Sequence, residues 1–249
     1  QLDHVQGELD RWLRISRLTA EGATVRIRIL GTPESVARAG ADVICDEVAR
    51  KPDLVLGVAT GESPVPMYRE LVARSHAGRV SLRGATLFLL DEYHGLPPDH
   101  PQRYRNVIGQ VLGPCLDPRG DRTHGLESTP PDVVAECARY EACIEGAGGI
   151  DLQILGIGEN GHVGFNEPGS PLDSRTRLVR LAGSTRRANA RYFAGDAGQV
   201  PEKALTQGLS TIGRARHLLL LAVGANKAAA VHAALGGPVT AETPASILQ

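Results

Sequence analysis

Four short stretches of this sequence hold residues whose types and spacing could move protons or grip an anion. Thr60-Gly61-Glu62-Ser63-Pro64 follows an apolar run and leads into a helical pattern. Glycine permits close backbone approach, and the unpaired N–H groups of a helix start attract an anion such as phosphate. The same residues equally build a tight turn capped by Ser63, and Glu62 opposes an anion unless its carboxylate points away. Asp91-Glu92-Tyr93 also ends an apolar run. A carboxylate in a partly desolvated site has a raised pKa and can take a proton from a bound molecule; an aspartate in a turn can equally cap backbone N–H groups. In Gly158–Glu167, His162 sits between glycines, with Asn160 two residues before it and Glu167 five after. Imidazole moves protons near neutral pH when an amide or carboxylate fixes its tautomer, although an ordinary loop histidine would read the same way. The fourth stretch is Gly224-Ala225-Asn226-Lys227. Lysine occurs only at positions 51, 203 and 227 of an arginine-rich chain, so Lys227 suggests a need for a compact point charge.

Other chemistries are disfavoured. His162, Glu167, His94 and His100 show no recognised metal-ligand spacing, so no metal is expected, and no GxSxG elbow marks a serine hydrolase. A formal net charge of −1, without blocks of like charge, gives no sign of a nucleic-acid or anionic-membrane partner. No apolar run approaches the roughly 20 residues that span a bilayer. Cys45, Cys115, Cys137 and Cys143 have no paired spacing, and free thiols point to a reducing, cytoplasmic setting.

The elements that must position these residues alternate. An amphipathic helix is expected over residues 1–22, with Leu2, Val5, Leu9, Trp12 and Leu13 on one face, ahead of a single domain over 23–249. Val25–Leu30 alternates as a strand, and Thr32-Pro33-Glu34 opens a helix running to about Arg50. Leu54–Thr60, Thr86–Leu90, Asp151–Ile157 and His217–Val223 read as buried strands. Helices are expected over Pro64–Arg74 and Pro131–Ala147 and from about Asn226, with 113–131 as a surface loop. Short apolar runs alternating with helices make a mostly parallel sheet covered on both faces. In such a sheet ligands bind beyond the carboxyl ends of the strands, so the four polar stretches should converge on one edge.

The first three stretches, extended to Leu90–Pro101 and Leu155–Gly169, closely resemble the glucosamine-6-phosphate deaminases. Ser174-Arg175-Thr176-Arg177, Thr185–Asn189, Ala204-Leu205-Thr206 and Pro244–Gln249 match as well, in collinear order from about Val25 onward. The resemblance implies a Rossmann-like three-layer α/β sandwich. It also implies conversion of glucosamine-6-phosphate and water to fructose-6-phosphate and ammonia, with no cofactor. Asp91 matches the base that moves a proton between C2 and C1, His162 the group that opens the sugar ring, and Asn160 and Glu167 its relay partners. Arg186 and Lys227 match phosphate contacts, and Thr60, Gly61 and Ser63 the backbone cradle. A 6-phosphogluconolactonase or a non-catalytic sugar-phosphate sensor would share the fold. Some members are hexamers activated by N-acetylglucosamine-6-phosphate, so a homo-oligomer is possible; Ser170 and Arg177 match that site, but Val179 stands where activated members carry lysine. Three departures stand out: Glu62 replaces a usually small residue, residues 1–22 precede the usual start, and relatives continue briefly beyond Gln249.

Overall fold

The computed structural model describes residues 25–116 and 122–249. The helix expected over 1–22, and with it the division between that helix and the domain, lies outside them. Helix α1 spans Pro33–Arg50 and starts where its capping chemistry dictates. The Thr32 hydroxyl accepts from Ser35 N at 3.1 Å, and the Ser35 hydroxyl accepts in return from Thr32 N at 3.1 Å. Ala37, Ala41, Ile44 and Val48 form its buried stripe. Along the chain follow β1 (Val55–Val58), α2 (Pro64–His76), β2 (Thr86–Leu89), β3 (Asp91–Tyr93), α3 (Tyr104–Leu112) and β4 (Thr123–His124). The second half adds α4 (Val133–Gly146), β5 (Leu152–Gly156), β6 (Arg177–Arg180), α5 (Gly183–Asn189), β7 (Lys203–Thr206), α6 (Leu209–Gly213), β8 (His217–Leu221) and α7 (Ala228–Gly236).

Five strands form a parallel sheet in the order β4-β2-β1-β5-β8. Alternate residues of each strand face opposite layers. Leu56 and Val58 of β1 pack with Ile44 of α1, Tyr68 of α2 and Ile108 of α3. Val55 joins Phe88, Tyr140 of α4 and Leu205 of β7 on the other side. A third cluster packs Leu155 and Ile157 against Leu209, Ile212, Ala230 and Ala234 of α6 and α7. Helices therefore cover both faces of a parallel sheet, a Rossmann-like three-layer α/β sandwich. The strand order reverses beside β1: the chain moves outward through β2 and β4, then returns to lay β5 on the opposite side. The carboxyl ends of β1 and β5 thus flank a crevice at the switch point, where open sheets of this kind bind ligands.

A smaller antiparallel sheet, β3-β7-β6, was not evident from the apolar runs. Asp91-Glu92-Tyr93, expected to follow a strand of the large sheet, is itself the first strand of the small one. Leu90 N donates to Val58 O at 2.8 Å in the parallel sheet, while Leu90 O accepts from Gln207 N at 2.9 Å beside the small one. The chain changes sheets at that residue, and Asp91 is the first side chain beyond it, opposite Thr206.

Two other expectations are corrected. Val25–Leu30 forms no strand: its side chains are half-buried or exposed and no described residue pairs with it. Alternation supplies an apolar face, but a strand also needs a neighbouring edge. Nor is the stretch 113–131 simply a surface loop. Thr123–His124 is the edge strand of the large sheet, and Leu126 and Ser128 are buried. The Ser128 hydroxyl donates to Tyr93 O at 2.6 Å and accepts from Leu96 N at 2.9 Å, tying this stretch to β3. Glycine and proline there exclude a long regular element without implying exposure.

Candidate active site

A cleft of about 690 Å³ opens at the switch point, a size suited to a small metabolite. Thr60, Gly61 and Ser63 line it beyond β1, Asp91 beyond β2, Asn160 and His162 beyond β5, and Lys227 beyond β8. The four polar stretches converge because their strands are parallel and end on the same edge.

The first stretch is shaped by Gly61, whose φ of +118° a residue with a side chain rarely adopts. Ser63 occupies the cap position of α2, yet its side chain makes no capping hydrogen bond. Tyr68 of α2 pins the strand end from behind, its hydroxyl donating to Ala59 O at 2.9 Å.

Asp91 is only 7% exposed, and no hydrogen bond holds its carboxylate among the described residues. Burial, reinforced by the adjacent Glu92 carboxylate, holds its pKa well above the usual range. The neighbouring Glu92 is fully buried but points elsewhere. It accepts from the backbone N–H groups of Tyr93, Tyr104 and Arg105 at 2.9, 3.0 and 3.1 Å, capping the start of α3. Burial raises its pKa to about 7, against the opposing effect of those donors and of Arg103. Two consecutive acids thus divide the work: one serves the helix, and one faces the cleft.

His162 is held by a relay. Its Nδ1 lies 2.7 Å from Asn160 Oδ1, and Asn160 Nδ2 donates to Glu167 Oε2 at 2.8 Å. Glu167 Oε2 is 3.6 Å from Nδ1, too far for a direct hydrogen bond, and acts on the ring as a charge. Burial pushes the Glu167 carboxyl up, but His162, the Thr185 hydroxyl and Asn160 outweigh it and hold it at about 2. With its proton on Nδ1 facing Asn160, the neutral ring keeps Nε2 as its basic nitrogen. The ring also lies over Gly158, where an added Cβ would overlap it. Glu167 does not line the cleft itself and supports the imidazole from behind.

The side chain of Lys227, in a single 3₁₀ turn before α7, makes no hydrogen bond or ion pair among the described residues. Arg186 is not brought to the cleft. Its Nε and Nη2 donate to Val200 O and Ala197 O at 3.1 and 2.9 Å, and Nη1 lies 3.9 Å from Glu202. The helical period explains this. Ser184, Thr185, Ala188 and Asn189 of α5 face the cleft, which turns 186 and 187 away. The cation that does line the cleft after α5 is Arg191, which sequence reading missed. It is in register with Ser184 and Ala188, seven and three residues before it. Arg191 pairs with Glu62, and its guanidinium sits over the Tyr192 ring with Cζ 5.0 Å from the centroid. Among the described residues, no cluster of His, Cys, Asp or Glu could hold a metal ion, and no helix is long and apolar enough to cross a membrane.

An acid, an oriented imidazole and several cations, Lys227 and Arg191 among them, around a crevice at the switch point of a Rossmann-like sheet define an enzyme that acts on a small anionic molecule. The chain belongs to the glucosamine-6-phosphate isomerases/6-phosphogluconolactonase family, matching it over residues 32–249. It is 52% identical over 225 residues to a glucosamine-6-phosphate deaminase of Mycolicibacterium smegmatis, covering 90% of this chain and 86% of that protein. A Bacillus subtilis protein named glucosamine-6-phosphate deaminase 2 is 44% identical, with 90% and 91% covered. Among solved structures, a monomeric glucosamine-6-phosphate deaminase superposes with a TM-score of 0.86 at 40% identity, covering 90% of this chain and 92% of that one. A 6-phosphogluconolactonase from Trypanosoma brucei, at 20% identity and a TM-score of 0.67, shares the fold.

Proposed function

We propose that this chain converts glucosamine-6-phosphate and water to fructose-6-phosphate and ammonia, with Asp91 and His162 as the proton-moving groups. The observation that carries the assignment of roles is the pairing, in one cleft, of a buried carboxylate without hydrogen-bond partners among the described residues and an imidazole oriented through Asn160 toward Glu167. His162 Nε2 takes the proton of the anomeric hydroxyl and returns it to the ring oxygen, opening the sugar. Ionised Asp91 then removes the C2 proton, leaving an enolamine, and delivers it to C1. Water adds to the resulting ketimine at C2, and ammonia leaves. Each step moves a proton or adds water, so protein groups suffice and no redox cofactor is drawn on.

Lys227 and Arg191 hold the phosphate, with Thr60, Gly61 and Ser63 presenting the turn before α2. Arg186 has no part in this reading. The test is ammonia release from glucosamine-6-phosphate, run beside unphosphorylated glucosamine and beside hydrolysis of 6-phosphogluconolactone. Rapid ammonia release from the phosphorylated amino sugar alone is expected. Lactone hydrolysis without ammonia release would transfer the cleft to the lactonase reaction, and binding without turnover would make it a sensor.

A further inference from the structure

The sequence set Glu62 against an anion in this cleft, and the structure gives its carboxylate a specific position. Glu62 lies between Gly61 and Ser63 in the turn that would receive the phosphate, and it pairs with the Arg191 guanidinium. Guanidinium is a planar fork of donors that accepts a carboxylate or a phosphate in the same geometry. Tyr192 covers one face of that fork, so an anion from the cleft must approach the same in-plane donors that Glu62 engages. We propose that Glu62 is an internal competitor for the substrate phosphate, occupying Arg191 when the cleft is empty and displaced when a sugar phosphate enters. This rests on the deaminase reading given above and assigns a further, specificity-determining residue to the same site.

The balance of strengths favours displacement. The side chains of Glu62 and Arg191 are 63% and 51% exposed, so their pairing is of the weak, solvent-screened kind. A phosphate would bring more charge and would meet Lys227 as well, a cation without a partner among the described residues. A carboxylate left beside a bound phosphate would repel it, so Glu62 must swing clear on binding and can return on release. Substrate and product carry the same phosphate. An internal competitor therefore weakens both, raising KM and easing departure of fructose-6-phosphate.

The experiment uses the full chain and its Glu62→Gln and Glu62→Ser variants. It measures KM for glucosamine-6-phosphate and competitive Ki for inorganic phosphate and for fructose-6-phosphate. Removing the charge should lower all three by about two- to fivefold, the size expected for loss of an exposed ion pair. In an Arg191→Gln background the same Glu62→Gln change should leave Ki for inorganic phosphate unaltered. Unchanged or higher values in both single variants would overturn the proposal and make Glu62 a support that positions Arg191. A gain that survives in the Arg191→Gln background would overturn it too, because Glu62 would then act on phosphate directly. If the parent releases ammonia equally fast from glucosamine and its 6-phosphate, the phosphate reading falls and takes this inference with it. The outcomes for the variants sink the inference alone.

Discussion

At residue scale, Asp91 and His162, proposed above as the proton-moving groups, are prepared in two different ways. Asp91 is prepared by withholding partners: burial and the adjacent Glu92 raise its pKa, which makes it a stronger base once ionised. Removal of the C2 proton requires the ionised form. The rate of C2 proton exchange on an open-chain analogue, a step that does not use His162, should therefore fall with acidity at a pH above the ordinary carboxylate range. A profile flat down to pH 4 would contradict the assignment. Asp91→Asn should lower turnover by about 10²–10⁴-fold, the usual contribution of a positioned base. It should also stabilise the fold. A carboxyl whose pKa is raised on folding costs nothing below its unfolded value; the penalty grows as pH rises toward the folded pKa and is complete above it. The melting temperature of Asp91→Asn should therefore exceed the parent's by about 2 °C or more at pH 8, the difference shrinking as pH falls toward the ordinary carboxylate range. Lower stability at pH 8 would mark Asp91 as a structural residue. His162 is prepared the opposite way, by orientation, with Glu167 held ionised behind it. Asn160, Glu167 and His162 were legible as a group because ten residues of loop contain all three. The opposite fates of Asp91 and Glu92 were not, since which way two consecutive acids point depends on the strand and helix that meet them.

At the scale of elements, short segments decide which side chains reach the cleft. Helix α5 is two turns long, yet its period assigns Thr185 to the relay and sends Arg186 to the segment 197–202. Arg191→Ala should raise KM for glucosamine-6-phosphate by about 10–100-fold, as expected for loss of a charge-assisted contact. Arg186→Ala should leave KM within about twofold and affect thermal stability instead, through the lost tether to Val200 O and Ala197 O. Equal KM effects would mean that α5 turns on binding. The loop around His162 depends similarly on Gly158. Gly158→Ala would push the imidazole off its seat, and turnover of the cyclic sugar should drop by at least about tenfold while open-chain proton exchange persists. The large parallel sheet was readable because β1, β2, β5 and β8 are continuous apolar runs between turn residues. The small sheet was not: β6 carries arginines at both ends, β7 begins with an exposed lysine, and β3 is made of Asp, Glu and Tyr. Those strands are fixed by their neighbours rather than by their own composition.

At the scale of the whole molecule, the region that resembles an effector site in some relatives is turned to local use. Arg177 donates to Asn166 Oδ1 at 2.8 Å and to Ser170 Oγ at 3.1 Å, and position 179 offers a half-buried valine instead of a cation. N-acetylglucosamine-6-phosphate should therefore leave the substrate-saturation curve unchanged; a sigmoidal curve made hyperbolic by the effector would refute this. The change of sheet at Leu90 bears on the making of the protein as well as its chemistry. Asp91 is seated against Thr206, β1 receives its neighbour β5 only with residue 152, and Lys227 of the cleft follows later still. Nothing near the reaction centre can close while the ribosome has supplied only the first half of the chain. An emerging polypeptide can settle α1, α2 and the β1-β2 pair early, but it leaves one side of β1 open until β5 is made and Asp91 without its partner strand until β7 follows. Activity should therefore appear late in synthesis and all at once, whereas protection of the N-terminal helices from proteolysis rises earlier.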